Sequence, residues 1–359
     1  MRTTTLFALA CLTASQALFA QVYTAPSGYA TVTCSSNSDT IISVPLALPT
    51  AFVGTTAVPV DNNNGTHSLT LSQDPSLSQA TSDPYYLKFL NGSHPGEYFK
   101  IVNKSLGAVV VIDDAGADLT NVANGSNVEI IPFWTLIKLF PIGNSTIVPS
   151  SNTFPNNRKT TVLLPTTVPG LINLAPQQTF FINSSTSNWR STASGFPVSN
   201  DVILWPDSYI IVRHDSTSGP TNYVNSGQVI GTNSGIPLFT HPTNQTDNFI
   251  SIPRPVDVAI NKLGLGSSTG PSSAFVASTG NFPNQRGDTL LVFNNLSQLV
   301  NKAPAYTYFF RSTDNTWRST ASGFPLADTD AISGAVGFII RKNPVAGGVT
   351  SFWTNPTPW

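Results

Sequence analysis

The sequence predicts an all-β protein made of two duplicated β-sandwich or partly open barrel units, the first carrying an inserted β-rich subdomain. Three observations carry that prediction. The nonapeptide WRSTASGFP occurs at Trp189–Pro197 and again at Trp317–Pro325. Short β-branched or aromatic runs such as TIISV, YYLKFL, AVVVI, TFFIN, YTYFF and FIIR recur along the chain, bounded by Gly, Pro, Asn, Asp or Ser. None of these runs shows a sustained helical stripe, and 28 Pro with 25 Gly suit many tight turns.

Taken from the N-terminus, Met1 and Arg2 form a short basic region and Leu6 to Leu12 an apolar one, with small residues leading to a cut after Ala20. Residues 1–20 are therefore expected to be a signal peptide. Thr13, Ser15 and Gln16 interrupt the run, so it falls short of the roughly 20 apolar residues of a membrane span. No later segment is apolar enough to cross a bilayer as a helix. The mature chain would keep one cysteine, Cys34, which cannot form an internal disulfide. A small buried residue, an intermolecular pair and a reactive thiol are its possible roles.

The first unit is expected over 21–227 and the second over 228–359, with the boundary in the Gly/Asn/Ser-rich stretch NSGQVIGTNSG. SDTIISVP at Ser38 opens the first unit and its echo TDNFISIP at Thr246 opens the second. The segment Phe154–Pro197 then lies without gaps over Phe282–Pro325, with 22 of 44 positions identical. Beyond it, SYIIVRHDSTSGPTNYV from Ser208 parallels GFIIRKNPVAGGVTSFW from Gly337 after a one-residue slip. About 100 residues separate opening and closing segments in the first unit, which places an insertion at about 61–149. In the second unit a short loop, GLGSSTGPSS, does much of the spacing, and one short helix is expected in VDVAINKLGL.

Charge narrows the function classes. Only 10% of residues are Asp, Glu, Lys or Arg, against roughly 25% in an ordinary domain, and the formal net charge is -1. The surface is solubilised instead by 82 Ser plus Thr and 31 Asn. No basic face is available for the phosphate backbone, so nucleic acid is not an expected partner.

The repeated Trp-Arg element offers the candidate binding residues Trp189, Arg190, Trp317 and Arg318. An indole face can stack on a sugar ring while a guanidinium bonds its hydroxyls; alternatively each Trp plugs the core of its unit, as duplicated architecture would require. Exposure of the two rings decides between these. Catalytic signals are weak, and no catalytic residue is assigned. Glu97 and Glu129 are the only Glu after residue 20 and would be the carboxylates of a glycoside hydrolase. Asp113, Asp114 and Asp118, and Asp328 with Asp330, suit turns. His67, His94, His214 and His241 match no metal-ligand spacing, and HExxH, CxxC, GxSxG and phosphate-loop patterns do not occur. No cofactor or metal is expected.

Several ordered stretches, VYTAPSGYATV, SDTIISVP, GEYFKIV, VEIIPFWTLIKLFP, DNFISIPRP, NKAPAYTYFF, GFIIRK and FWTNPTPW, together resemble an uncharacterised, paralogue-rich family of secreted verrucomicrobial proteins. The resemblance implies export and supplies no established activity. The expectation is a non-enzymatic structural or adhesive protein, periplasmic, at the cell surface or extracellular, whose partners are further copies of itself or surface polysaccharide. A glycan-binding module is the second reading and an extracellular hydrolase the third.

Overall fold

The computed structural model describes residues 26–104, 107–114, 116–266 and 274–356; the expected signal peptide, residues 1–20, and most of the GLGSSTGPSS loop lie outside them. With 39% strand and 4% helix the chain is all-β. VDVAINKLGL forms a two-residue strand and a 3-10 turn, Ile260–Lys262, in place of the expected helix.

The duplication is complete in three dimensions. A five-stranded antiparallel sheet in the first unit orders its strands Asn188–Ser191, Gln178–Asn183, Thr160–Leu164, Ile210–His214 and Ser38–Ile42. Its copy orders Thr316–Ser319, Tyr306–Arg311, Thr289–Val292, Phe338–Lys342 and Thr246–Ile250. Each sheet is faced by a ribbon, Ser27–Cys34 with Thr221–Gln228 and Ser234–Phe239 with Thr350–Asn355. One core fills each sandwich. Cys34, Val162, Trp189, Val212 and Tyr223 contribute to the first, and Ile236, Leu290, Trp317, Ile340 and Trp353 to the second.

The register corrects the one-residue slip. Arg213 pairs with Asp39 as Arg341 pairs with Asp247, and Ile211 with Ile41 as Ile339 with Phe249. The two closing strands therefore continue the ungapped alignment. The slip had set Tyr209 on Phe338, aromatic on aromatic, whereas the strand places Tyr209 opposite Gly337.

The inserted subdomain is a seven-stranded antiparallel sheet curled into a half-barrel, with strands between Phe52 and Pro132. Its curl brings Thr56 to bridge Leu71, enclosing Leu69, Leu87, Val110, Ile112 and Val128. The insertion thus begins and ends earlier than 61–149. After it, Leu136, Leu139 and Phe140 already belong to the core of the first unit. The largely apolar stretch from Val128 to Phe140 passes from one core to another with only the isolated polar residues Glu129, Thr135 and Lys138 and no Gly/Asn/Ser-rich turn, so sequence alone does not mark the change.

The outer faces of the two five-stranded sheets meet each other, which explains why Ser38–Ile42 and Thr246–Ile250 are buried at every position. The contact is reciprocal, as in a two-fold dimer. Asp39 N donates to Leu299 O and Asp247 N to Leu171 O. Arg213 Nε donates to Asp39 Oδ1 at 2.6 Å and Arg341 Nε to Asp247 Oδ1 at 2.7 Å. Asn301 N reaches Asp39 Oδ2, and Asn173 N reaches Asp247 Oδ2, both asparagines in the left-handed region. Ile41, Phe249, Leu291, Phe293 and Ile339 form the apolar centre. The symmetry is not exact: Phe249 and Phe293 stand where the first unit has Ile41 and Pro165, and the largest departure is at Tyr209. A Cβ on Gly337 would lie 2.1 Å from Tyr209 Cβ, so the tyrosine fills the space its counterpart leaves.

Cys34 is fully buried, and burial pushes its thiol up to about 11. A thiol so placed cannot pair with another chain while the unit is folded. Lys88 of the inserted sheet is also buried; its ammonium donates to Thr232 Oγ1 in the linker and lies 3.6 Å from Glu129. Burial pulls Lys88 down to about 8, with Glu129 opposing. Between that value and its ordinary 10.5 the unfolded chain holds a proton that the folded chain lacks. The penalty is present below about pH 8 and is relieved as pH rises. Urea unfolding at pH 7, 8.5 and 10 should therefore show the wild type gaining stability relative to Lys88→Met with rising pH; a constant difference would place the ammonium in a better-solvated position.

Candidate functional site

The repeated nonapeptide is a packing device. Trp189 is 0% and Trp317 2% exposed, so neither ring can offer a face to a sugar, and the platform reading of these residues is corrected to that of core plugs. Trp189 Nε1 donates to Phe140 O, and Trp317 packs against Phe275 and Phe310. The rest of the motif folds back over the sheet edge. Phe196 N closes a turn onto Ala193 O and Phe324 N onto Ala321 O, with Gly195 and Gly323 at the third position, where positive φ is required. Ser191 N then bonds Pro197 O, and Ser199 N bonds Trp189 O; Ser319, Pro325, Ala327 and Trp317 repeat the pattern. Arg190 and Arg318 each donate Nη1 to the carbonyl of the motif's Phe, at 3.0 and 2.9 Å. Their guanidinium groups thus hold a turn. The phenyl rings of Phe196 and Phe324 lie against the guanidinium groups of Arg158 and Arg286. The motif caps a strand edge that would otherwise be open to another chain.

The other sequence candidates are also engaged in structure. Glu97 accepts from His94 at 3.0 Å and Glu129 lies beside Lys88. His67 contacts Asp114 at 2.9 Å, and His214 bridges the hydroxyls of Thr160 and Thr221. In the second unit the places of Thr160 and His214 are taken by a buried ion pair, Asp288 with Lys342. Asp118 accepts from Thr120, and Asp328 accepts from Trp317 N. Among the described residues no group of three or more His, Cys, Asp or Glu is placed to hold a metal.

A cleft of about 550 Å³ lies where the inserted sheet meets both units, within the size range of small-ligand sites. The inserted sheet contributes Tyr98 and Lys100, the loop after Ile203–Leu204 contributes Trp205 and Asp207, and the second unit's ribbon contributes Phe239 and Phe352. Trp205 is held edge-on by Phe133 at 5.2 Å and tilted toward Tyr98 at 6.3 Å, yet remains 43% exposed. Phe239 and Phe352 are also exposed. Asp207 is partly open to the cleft but closely surrounded by protein. Burial raises its carboxyl above the ordinary carboxylate range, opposed by the nearby Tyr98 hydroxyl; burial and the same carboxylate push the Tyr98 phenol well up.

Neither Trp205 nor Asp207 stands in any sequence motif. The backbone shows where their counterparts are: Ser251 N donates to Asp207 O as Ser43 N donates to Ala335 O, and Ser251 Oγ to Pro206 O as Ser43 Oγ to Gly334 O. Ser333 and Ala335 therefore stand in the second unit where Trp205 and Asp207 stand in the first. The copies agree on the buried Trp and differ at the cleft. Comparison with protein-family models, with curated proteins and with solved structures finds no match.

Proposed function

We propose that the protein is a secreted, non-enzymatic adhesive protein of the cell surface or extracellular matrix, and that it holds its ligand in the three-sided cleft. The observation that carries this is the cleft itself: partly exposed Trp205, Phe239 and Phe352 are presented on rigid or well-packed elements, beside a few polar groups. The carboxylates nominated for glycoside hydrolysis are committed elsewhere, Glu97 to His94 and Glu129 to Lys88.

Co-sedimentation of the purified chain with insoluble cell-wall and matrix polysaccharide tests the proposal. The expected result is retention that Trp205→Ala and Phe352→Ala each reduce at least tenfold, with no soluble fragments released. Retention indifferent to both changes, or steady release of fragments, would overturn it.

A further inference from the structure

We infer that the cleft is a binding groove for a neutral pyranose oligosaccharide, with Trp205 as the stacking platform and Tyr98 with Asp207 as the hydroxyl-reading pair; this rests on the adhesive reading above. A pyranose ring presents axial C–H groups on one face and hydroxyls around its rim. It therefore fits a half-exposed indole flanked by a phenol and a carboxylate. The indole has the required rigidity, since Phe133 and Tyr98 both contact its ring. Tyr98 and Asp207 both line the cleft, so a phenol and a carboxylate are presented on the same wall as the indole. On the opposite wall Phe352 and Phe239 supply apolar surface for a further sugar residue.

Competing ligand classes fit less well. An extended peptide recognised by strand addition needs a free sheet edge. Along the wall formed by Ser234–Phe239 the outward groups are taken, Gly235 N by Gly96 O and Phe239 N by Asn248 Oδ1. An anionic sugar or phosphate would meet Asp113, Asp114 and Asp207 against the single amine of Lys100 among the cleft's charged groups. Asp114 is already paired with His67, which leaves less to recruit a cation.

Isothermal titration calorimetry of the full chain against a panel of neutral gluco-, xylo-, manno- and chito-oligosaccharides, with oligogalacturonate and a basic peptide as controls, tests the inference. We expect saturable binding of at least one neutral oligosaccharide. Trp205→Ala should weaken it at least tenfold, and Tyr98→Phe and Asp207→Asn each several-fold, with near-UV circular dichroism unchanged. Trp205→Phe, which keeps an aromatic face, should recover part of the loss. If no neutral oligosaccharide binds, or binding ignores Trp205 and Asp207, or only a control ligand binds, the inference is wrong. Retention on matrix that still depends on Trp205 would, in that event, leave the adhesive reading standing and reject only the sugar class.

Discussion

Replacing Trp317 by Ala is expected to destabilise the second unit by about 3–5 kcal/mol, and Trp189→Ala the first unit by a similar amount. Each indole is among the largest fully buried side chains, and each closes the sandwich between a five-stranded sheet and its ribbon. Truncation leaves a cavity lined by Phe275 and Phe310 in one unit and by Phe140 in the other. In the first unit it also orphans the Phe140 carbonyl that Trp189 Nε1 satisfies at 3.1 Å. Because the rings sit in separate cores, the double variant should lose close to the sum of the two. Urea unfolding followed by circular dichroism checks this. A loss below about 1 kcal/mol for either Trp would show that its ring is not the plug.

Arg254→Ala is expected to cost about 3–5 kcal/mol, since it strips several buried acceptors of their donor at about 1–3 kcal/mol each, partly offset by relaxation. The guanidinium is 0% exposed and donates to Ile230 O, Thr232 O, Asn355 O and Asn355 Oδ1 at 2.9 to 3.2 Å. Burial lowers it to about 10, so it remains charged at neutral pH. It joins the linker between the units to the closing strand of the second, and its removal leaves all four acceptors without that donor. Arg254→Lys keeps the charge but loses the planar fork, and should fall between Ala and wild type. Limited proteolysis provides a second readout: cleavage near 228–233 should accelerate in Arg254→Ala. Unchanged stability together with an unchanged cleavage rate would remove Arg254 from this role.

The repeat made the architecture legible because packing residues are the ones duplication preserves. Trp189 and Trp317, Arg213 and Arg341, and Asn173 and Asn301 hold equivalent places. What the repeat could not show is which way an indole faces. WRSTASGFP is compatible with an exposed platform and with a plug with a folded-back cap, and it is the burial of both rings in the fold that distinguishes them. The limits of the insertion were blurred for a related reason, since an apolar residue does not record which of two adjacent cores it enters. Trp205 and Asp207 were invisible as a site because they become one only when three distant segments meet. They leave no trace in the sequence either, because the strong match ends at Pro197 and Pro325, and Val198–Tyr209 shares no identical position with Leu326–Gly337, where Ser333 and Ala335 stand in their places.

The contact of Tyr209 with Gly337 bears on which halves fit together. Joined in one chain, the units meet at a high effective concentration, and their reciprocal bonds close without a bimolecular step. Two first units brought together the same way would need two tyrosines in one space, and two second units would leave that space empty. Each half therefore fits the other better than it fits itself. Tyr209 packs edge-on against Phe249 and Phe293, whose counterparts are Ile41 and Pro165, so this aromatic cluster needs one half of each kind. The same freedom from strict symmetry allows the cleft loop to differ between the copies, so that the molecule presents one such loop instead of two.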